Sequence, residues 1–235
     1  MALRKKCRTI RCGLFPLCYF VCIFILPSLF ATAGELSTSA SDKTPPVTEI
    51  ALNLNDSTIW DSGVGEGFRA GTQNLGVNAG IAYGVTILGS EERHHLALLS
   101  VSYGRIIGGV KGTDSWFRGN WELRGEIFGG GQFNSESSWL VGFTPHVRYH
   151  FATGSPWVPY VDLGVGATLT GIREPDLGGS FQFNLQGSVG VNYFFKDGLA
   201  INLEGRYIHL SSAGIFEPNN GVNSTGIFFG VSKFF

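Results

Sequence analysis

Beyond residue 22 the chain has no cysteine, and after Met1 it has no methionine. The absence of cysteine excludes a disulfide framework, a catalytic thiol and a thiolate metal site from everything downstream. Basic clusters are missing too. Arg4, Lys5, Lys6, Arg8 and Arg11 take five of the 17 basic residues and leave 12 against 18 acidic ones. A net-acidic body without a basic patch excludes a nucleic-acid partner. After residue 33 no apolar run is long enough for a membrane-spanning helix. Glycine, by contrast, is abundant: 34 of 235 residues, about twice the usual share.

The first 33 residues read as an export signal. The five basic residues form its n-region, Leu14 to Leu26 its apolar core, and Ala31-Thr32-Ala33 a small-x-small cleavage site. Residues 34–66 hold Ser, Thr and Pro without a clear period and read as a periplasmic lead-in. Residues 67–235 read as one outer-membrane β-barrel, with no second domain.

The reason is alternation. Over residues 181–195, Phe181, Phe183, Leu185, Val189, Val191, Tyr193 and Phe195 share one parity, while Gln182, Asn184, Gln186, Ser188 and Asn192 share the other. The same period of two marks residues 71–87, 95–107, 116–128, 139–151, 157–169, 199–211 and 223–235. Leu96, Leu98 and Ile106 interrupt the polar parity of the second run. Eight such runs, each longer than the ~9–11 residues of a tilted membrane strand, fit an all-β, eight-stranded antiparallel transmembrane barrel. The polar parity carries Arg118, Glu122, Arg124, Glu126, Arg148, Asp162, Glu204 and Arg206, opposite charges that can pair in a closed lumen. The apolar parity is rich in aromatics, and the last strand ends on Phe235, as strands of bacterial outer-membrane proteins do. Gly164, Gly166 and Gly190 recur on the inward parity, where a small barrel lacks room.

Such a barrel has short periplasmic turns and longer outer loops. Residues 152–156 and 196–198 are short, while 129–138, 170–180 and 212–222 are longer and alternate with them. That places both ends of the barrel in the periplasm. Eight strands leave no room for an aqueous pore, so the remaining classes are a membrane-embedded enzyme, a surface-shielding or adhesion barrel, and a structural barrel.

On residues 199–211 the lipid-facing parity runs Leu199, Ile201, Leu203, Tyr207, and then His209 and Ser211 near the outer end. Polar side chains on a lipid face are costly, which favours a function. An imidazole beside a hydroxyl is the pair needed to attack an ester. Alternate residues are ~6.5–7 Å apart along a strand, so the two side chains must lean together to bond. A bland alternative is a His and a Ser that hydrogen-bond headgroups at a wet strand end.

Arg206 to Gly214, followed by Pro218-Asn219-Asn220-Gly221-Val222-Asn223-Ser224, resembles the C-terminal signature of the lipid A deacylase family (PagL-type, acyloxyacyl hydrolase). Trp116-Phe117-Arg118-Gly119-Asn120-Trp121-Glu122 and Pro159 to Gly164 look similar too. The resemblance implies an integral outer-membrane esterase that removes the ester-linked 3-hydroxyacyl chain at the 3-position of lipid A. Its catalytic His and Ser fall on His209 and Ser211. Where the family commonly has Asn after the Ser, this chain has Ser212, leaving Ser212 and Gly214 as oxyanion candidates. Where the prototype has Glu as third member, this chain has Asn223, with Glu217 as the alternative. An outer-membrane phospholipase uses a similar His-x-Ser with Asn at that offset and remains the competing reading, beside a non-catalytic barrel. Partners are then lipid A or phospholipid of the outer leaflet, with a homodimer left open, and neither cofactor nor metal is called for.

An in-phase hairpin centred on Phe216 sets residue 209 opposite 223, since antiparallel partners keep a constant index sum. Other signals are weak. His94-His95 reads as a solvated outer turn, and His146 and His150 are ~13 Å apart on one strand, too far for one metal.

Overall fold

A computed structural model describes residues 59–134 and 136–235. The signal segment and residues 34–58 of the lead-in lie outside them. Eight strands follow in order: β1 Gln73–Gly84, β2 Leu96–Lys111, β3 Gly119–Gln132, β4 Ser138–Phe151, β5 Trp157–Thr170, β6 Phe181–Lys196, β7 Leu199–Ser211 and β8 Val222–Phe234. Each pairs antiparallel with its neighbour, and β8 returns to β1 to close the barrel. Closure leaves no sheet edge unpaired, the condition for β-structure in lipid.

The alternation sorts the side chains into two environments. Leu75, Val77, Leu123, Phe143, Leu163, Leu185 and Val231 point outward and are exposed, forming the lipid-facing surface. The inward parity is buried in three layers. At mid-barrel the charges pair. Asp162 takes Arg124 at 2.8 Å, Arg148 at 2.6 Å and His146 at 2.5 Å. Arg206 holds Glu126 at 2.5 Å and Glu204 at 2.6 Å, and His150 meets Glu122 at 2.6 Å. Buried charges are tolerated when matched in this way. Above them lies an apolar layer that includes Leu96, Leu98, Phe128, Leu140 and Phe228, and below them another with Trp60, Phe68, Ile106, Phe194 and Phe234. The breaks at Leu96, Leu98 and Ile106 in the polar parity are therefore the two apolar layers of the lumen.

The lower apolar layer recruits the chain ahead of β1. Phe68 stacks on Trp60 at 4.8 Å and on Phe234 at 5.0 Å, and its backbone N–H donates to Asn120 Oδ1 at 2.7 Å. Arg118 differs from its sequence placement. It sits in the turn before β3, not in the lumen, and pairs there with Glu66.

Three strand boundaries also differ. β2 continues to Lys111 through a register shift after Ile107, where Gly108 adopts φ +72°. Trp116 and Phe117 consequently fall in the turn, not in β3. The glycine run from Gly129 reads as loop in the sequence, yet it pairs in β3 with Val141, Leu140 and Trp139 of β4. Its lack of side chains permits close approach: a Cβ on Gly130 would lie 2.0 Å from the Ala97 carbonyl oxygen.

Gly190 tests the lumen packing. A Cβ there would come within 2.4 Å of the Tyr160 ring and 2.8 Å of the Leu203 carbonyl oxygen. Gly190→Val should lower barrel stability by about 1–3 kcal/mol, read as a shift of the urea midpoint for loss of the heat-modifiable folded band. An unchanged midpoint would mean that the lumen relaxes around the added methyls.

Candidate active site at the outer rim

The longer connections 85–95, 171–180 and 212–221 lie at the same end of the barrel, the outer one by the loop-length rule. β7 climbs toward this end with odd residues outward, and its register with β8 sets His209 directly opposite Asn223. The hairpin is in phase, as the index sum requires.

Three side chains meet on that row. His209 Nε2 lies 3.1 Å from Ser211 Oγ, so the two do lean together across the strand rise. His209 Nδ1 lies 2.7 Å from Asn223 Oδ1. Asn223 is buried, while His209 and Ser211 are half-buried and open to the membrane rim.

The hydrogen bonds also fix the imidazole tautomer. Asn223 Nδ2 donates to the Ile87 carbonyl at 2.8 Å, and a carbonyl can only accept. The amide oxygen is therefore the atom that faces His209, so Nδ1 must carry the proton. Nε2 is left with a lone pair for the Ser211 hydroxyl. A serine hydrogen-bonded to a basic nitrogen, with the other nitrogen held by an acceptor, is the arrangement for nucleophilic attack.

Glu217 is elsewhere. It is exposed at the loop tip and is not among the hydrogen-bond partners of His209. Ser212 departs from its sequence role as well. It has the inward parity and is buried; its N–H donates to Asn219 Oδ1 at 2.8 Å, and its hydroxyl is engaged by Asn219 and Phe216. Its donors are spent inside the loop, so it is not an oxyanion donor in this arrangement. Ala213 at φ +52° and Gly214 at φ +82° form a tight turn closed by Ile215 N–H on the Ser212 carbonyl at 3.1 Å. The turn leaves the N–H groups of Ala213 and Gly214 without a protein acceptor among the described residues.

Sequence reading missed three contributors. Ile87 acts through its backbone carbonyl, which carries no residue signature. Tyr207, two residues below His209 on the lipid face, donates its hydroxyl to Asn223 Oδ1 at 2.6 Å. Asp176 ties the outer loops together. Its carboxylate accepts the N–H groups of Glu91 at 2.7 Å and Glu92 at 3.0 Å and meets His94 Nε2 at 2.8 Å, while its carbonyl accepts Asn220 N–H at 3.0 Å. His94 is thus a buried member of this knot, not a solvated turn, and its Nδ1 meets Gln132 Oε1 at 2.7 Å. The knot holds Gly221 beside the imidazole, where an added Cβ would lie 3.0 Å from His209 Cε1.

A family model described as "Lipid A 3-O-deacylase (PagL)" matches residues 99–232, more than half of the chain. The lipid A deacylase PagL of Pseudomonas aeruginosa is 31% identical over 90 residues, which are 38% of this chain and 50% of that protein. The protein of the same name from Bordetella bronchiseptica is 30% identical over 118 residues, 46% of this chain and 62% of that one. The chain thus spans about half to three-fifths of the length of these curated relatives. Among solved structures, the crystal structure of the outer membrane enzyme PagL superposes with a TM-score of 0.51 at 18% identity. That superposition covers 66% of this chain and 97% of the other, and it shows a shared fold.

Proposed function

The chain belongs to the lipid A 3-O-deacylase (PagL) family, and from that premise we propose that it is an outer-membrane ester hydrolase acting on lipid A. We further propose that it removes the 3-hydroxyacyl chain esterified at the 3-position. The observation that carries the reading is the hydrogen-bonded row Ser211–His209–Asn223 on the lipid-facing surface at the outer end of the barrel. A lipid ester in the outer leaflet can reach that row without entering the lumen.

In the proposed reaction His209 Nε2 takes the proton of Ser211 Oγ as the oxygen attacks the ester carbonyl. Asn223 Oδ1 holds the imidazole through Nδ1–H and favours the imidazolium that forms, less strongly than a carboxylate would. The Gly214 N–H, with that of Ala213 beside it, is the oxyanion donor of this proposal. The imidazolium then gives its proton to the departing sugar oxygen as the acyl C–O bond breaks, which leaves a sugar hydroxyl and an acyl group on Ser211. Water, deprotonated by the same imidazole, releases the fatty acid from Ser211. No step calls for a metal. Export by removal of residues 1–33, with residues 34–66 as a periplasmic lead-in to a barrel over 67–235, belongs to the same proposal.

The test is mass spectrometry of lipid A and phospholipids from cells with and without the expressed protein. Loss of one 3-hydroxyacyl chain from lipid A is the expected result. Lysophospholipid appearing with intact lipid A would replace the reading with a phospholipase. No change in either lipid would leave an adhesion or structural barrel.

A further inference from the structure

Asn223 has an asymmetry that a carboxylate at the same place would not have. A carboxylate presents an acceptor oxygen after any half-turn about its last bond. An amide presents either an oxygen or an NH2 group, and the NH2 group against His209 Nδ1 would reverse the tautomer. Nε2 would then carry a proton and lose its ability to accept one from Ser211. An amide as third member therefore needs its orientation held.

One hold is the Ile87 carbonyl on Nδ2 at 2.8 Å. It comes from a loop and is a single point, about which the amide can still tilt. The second hold comes from the strand itself. Tyr207 lies on β7 opposite Thr225 of β8, one outward-facing row below His209 and Asn223, and its hydroxyl reaches up to Asn223 Oδ1 at 2.6 Å. A tyrosine at a membrane interface ordinarily turns its hydroxyl to water and headgroups. This one is directed at the amide oxygen that also receives His209 Nδ1–H.

We propose that Tyr207 is a positioning residue of the candidate active site: while the acceptor-only Ile87 carbonyl selects the orientation of the Asn223 amide, the Tyr207 hydroxyl, donating to Oδ1, steadies that oxygen against His209. The hydroxyl acts through Asn223 and His209, its proton being committed to Asn223 Oδ1 and not to Ser211. With Ile87 it defines the amide plane by two points, one at each polar atom. The role rests on the esterase reading for its catalytic consequence, but the tautomer it sets is a property of the folded barrel alone.

The experiment uses the purified full-length barrel in detergent micelles, with three variants: Tyr207→Phe, Tyr207→Leu and, as a rim control, Tyr83→Phe. Two quantities are measured. The first is fatty-acid release from lipid A, resolved into kcat and KM. The second is the ring 15N shifts of His209, assigned with the help of His209→Ala. Loss of one hydrogen bond in the positioning network should lower kcat by about three- to tenfold. KM should stay within about twofold, because the hydroxyl does not bind substrate. The 15N spectrum should show Nδ1 protonated in the wild type and a mixture of tautomers in both Tyr207 variants, with Tyr83→Phe matching the wild type. A wild-type tautomer and unchanged kcat in folded Tyr207→Phe would overturn the proposal, and so would a rise in KM alone. If the wild type releases no fatty acid, the esterase reading fails, while the 15N comparison still decides the role of Tyr207. Should Tyr207→Phe not fold, Tyr207→Leu supplies the same comparison.

Discussion

Ser211→Ala and His209→Ala should each lower acyl-chain release by at least about a thousandfold while leaving the barrel folded. The large effect follows from the proposed division of labour. Without the Ser211 hydroxyl no nucleophile stands beside Nε2, and without the imidazole no base lies within 3.1 Å of Ser211 Oγ. Preserved folding follows from position. Both residues are half-buried at the rim, and neither belongs to the charged layer or to either apolar layer of the lumen. Because the two side chains act as a unit, the double variant should be no slower than the single ones. Lipid A mass spectra report activity, and heat-modifiable gel mobility reports folding. Turnover near the wild-type level in either folded variant would remove the dyad from the mechanism.

The barrel was legible in the sequence because every strand separates two solvents. Lipid on one side and a charged lumen on the other impose a period of two that runs the full length of β6 or β7. The eight strand runs are therefore found within a few residues of their observed ends. The reading fails where backbone, not side-chain chemistry, decides. Gly129 to Gly131 carry no parity signal, so a paired stretch of β3 looks like loop, and the shift after Ile107 displaces Trp116 to Arg118 into a turn.

The same division holds at the rim. His209, Ser211 and Asn223 show themselves by parity and by a constant index sum across one hairpin. The hold on Asn223 by the Ile87 carbonyl joins residues far apart in sequence through a group that every residue possesses. The Asp176 knot is equally silent, since an aspartate after a proline in a loop looks like ordinary turn chemistry. Its three outer loops meet only once the barrel has closed.

Asn223→Ala should reduce turnover roughly a hundredfold, whereas Glu217→Ala should leave it within about twofold of the wild type. The difference comes from register. Asn223 stands opposite His209 across β7 and β8, within 2.7 Å of Nδ1, and it is anchored by Tyr207 and Ile87. Truncation to Ala removes the acceptor that keeps Nδ1 protonated and leaves the imidazole free to rotate or to switch tautomer. Part of the base population would then face Ser211 with an N–H in place of a lone pair. Glu217 is exposed at the loop tip, and its carboxylate has no hydrogen bond to the imidazole to lose. Its removal changes the charge of the loop and little else. The loss in Asn223→Ala should appear in kcat, since the amide is buried behind His209 and does not contact the outer leaflet. Steady-state release from lipid A micelles separates kcat from KM for both variants. A dead Glu217→Ala beside a nearly normal Asn223→Ala would mean that the loop folds back onto His209 during turnover, and the third place in the site would pass from Asn223 to Glu217.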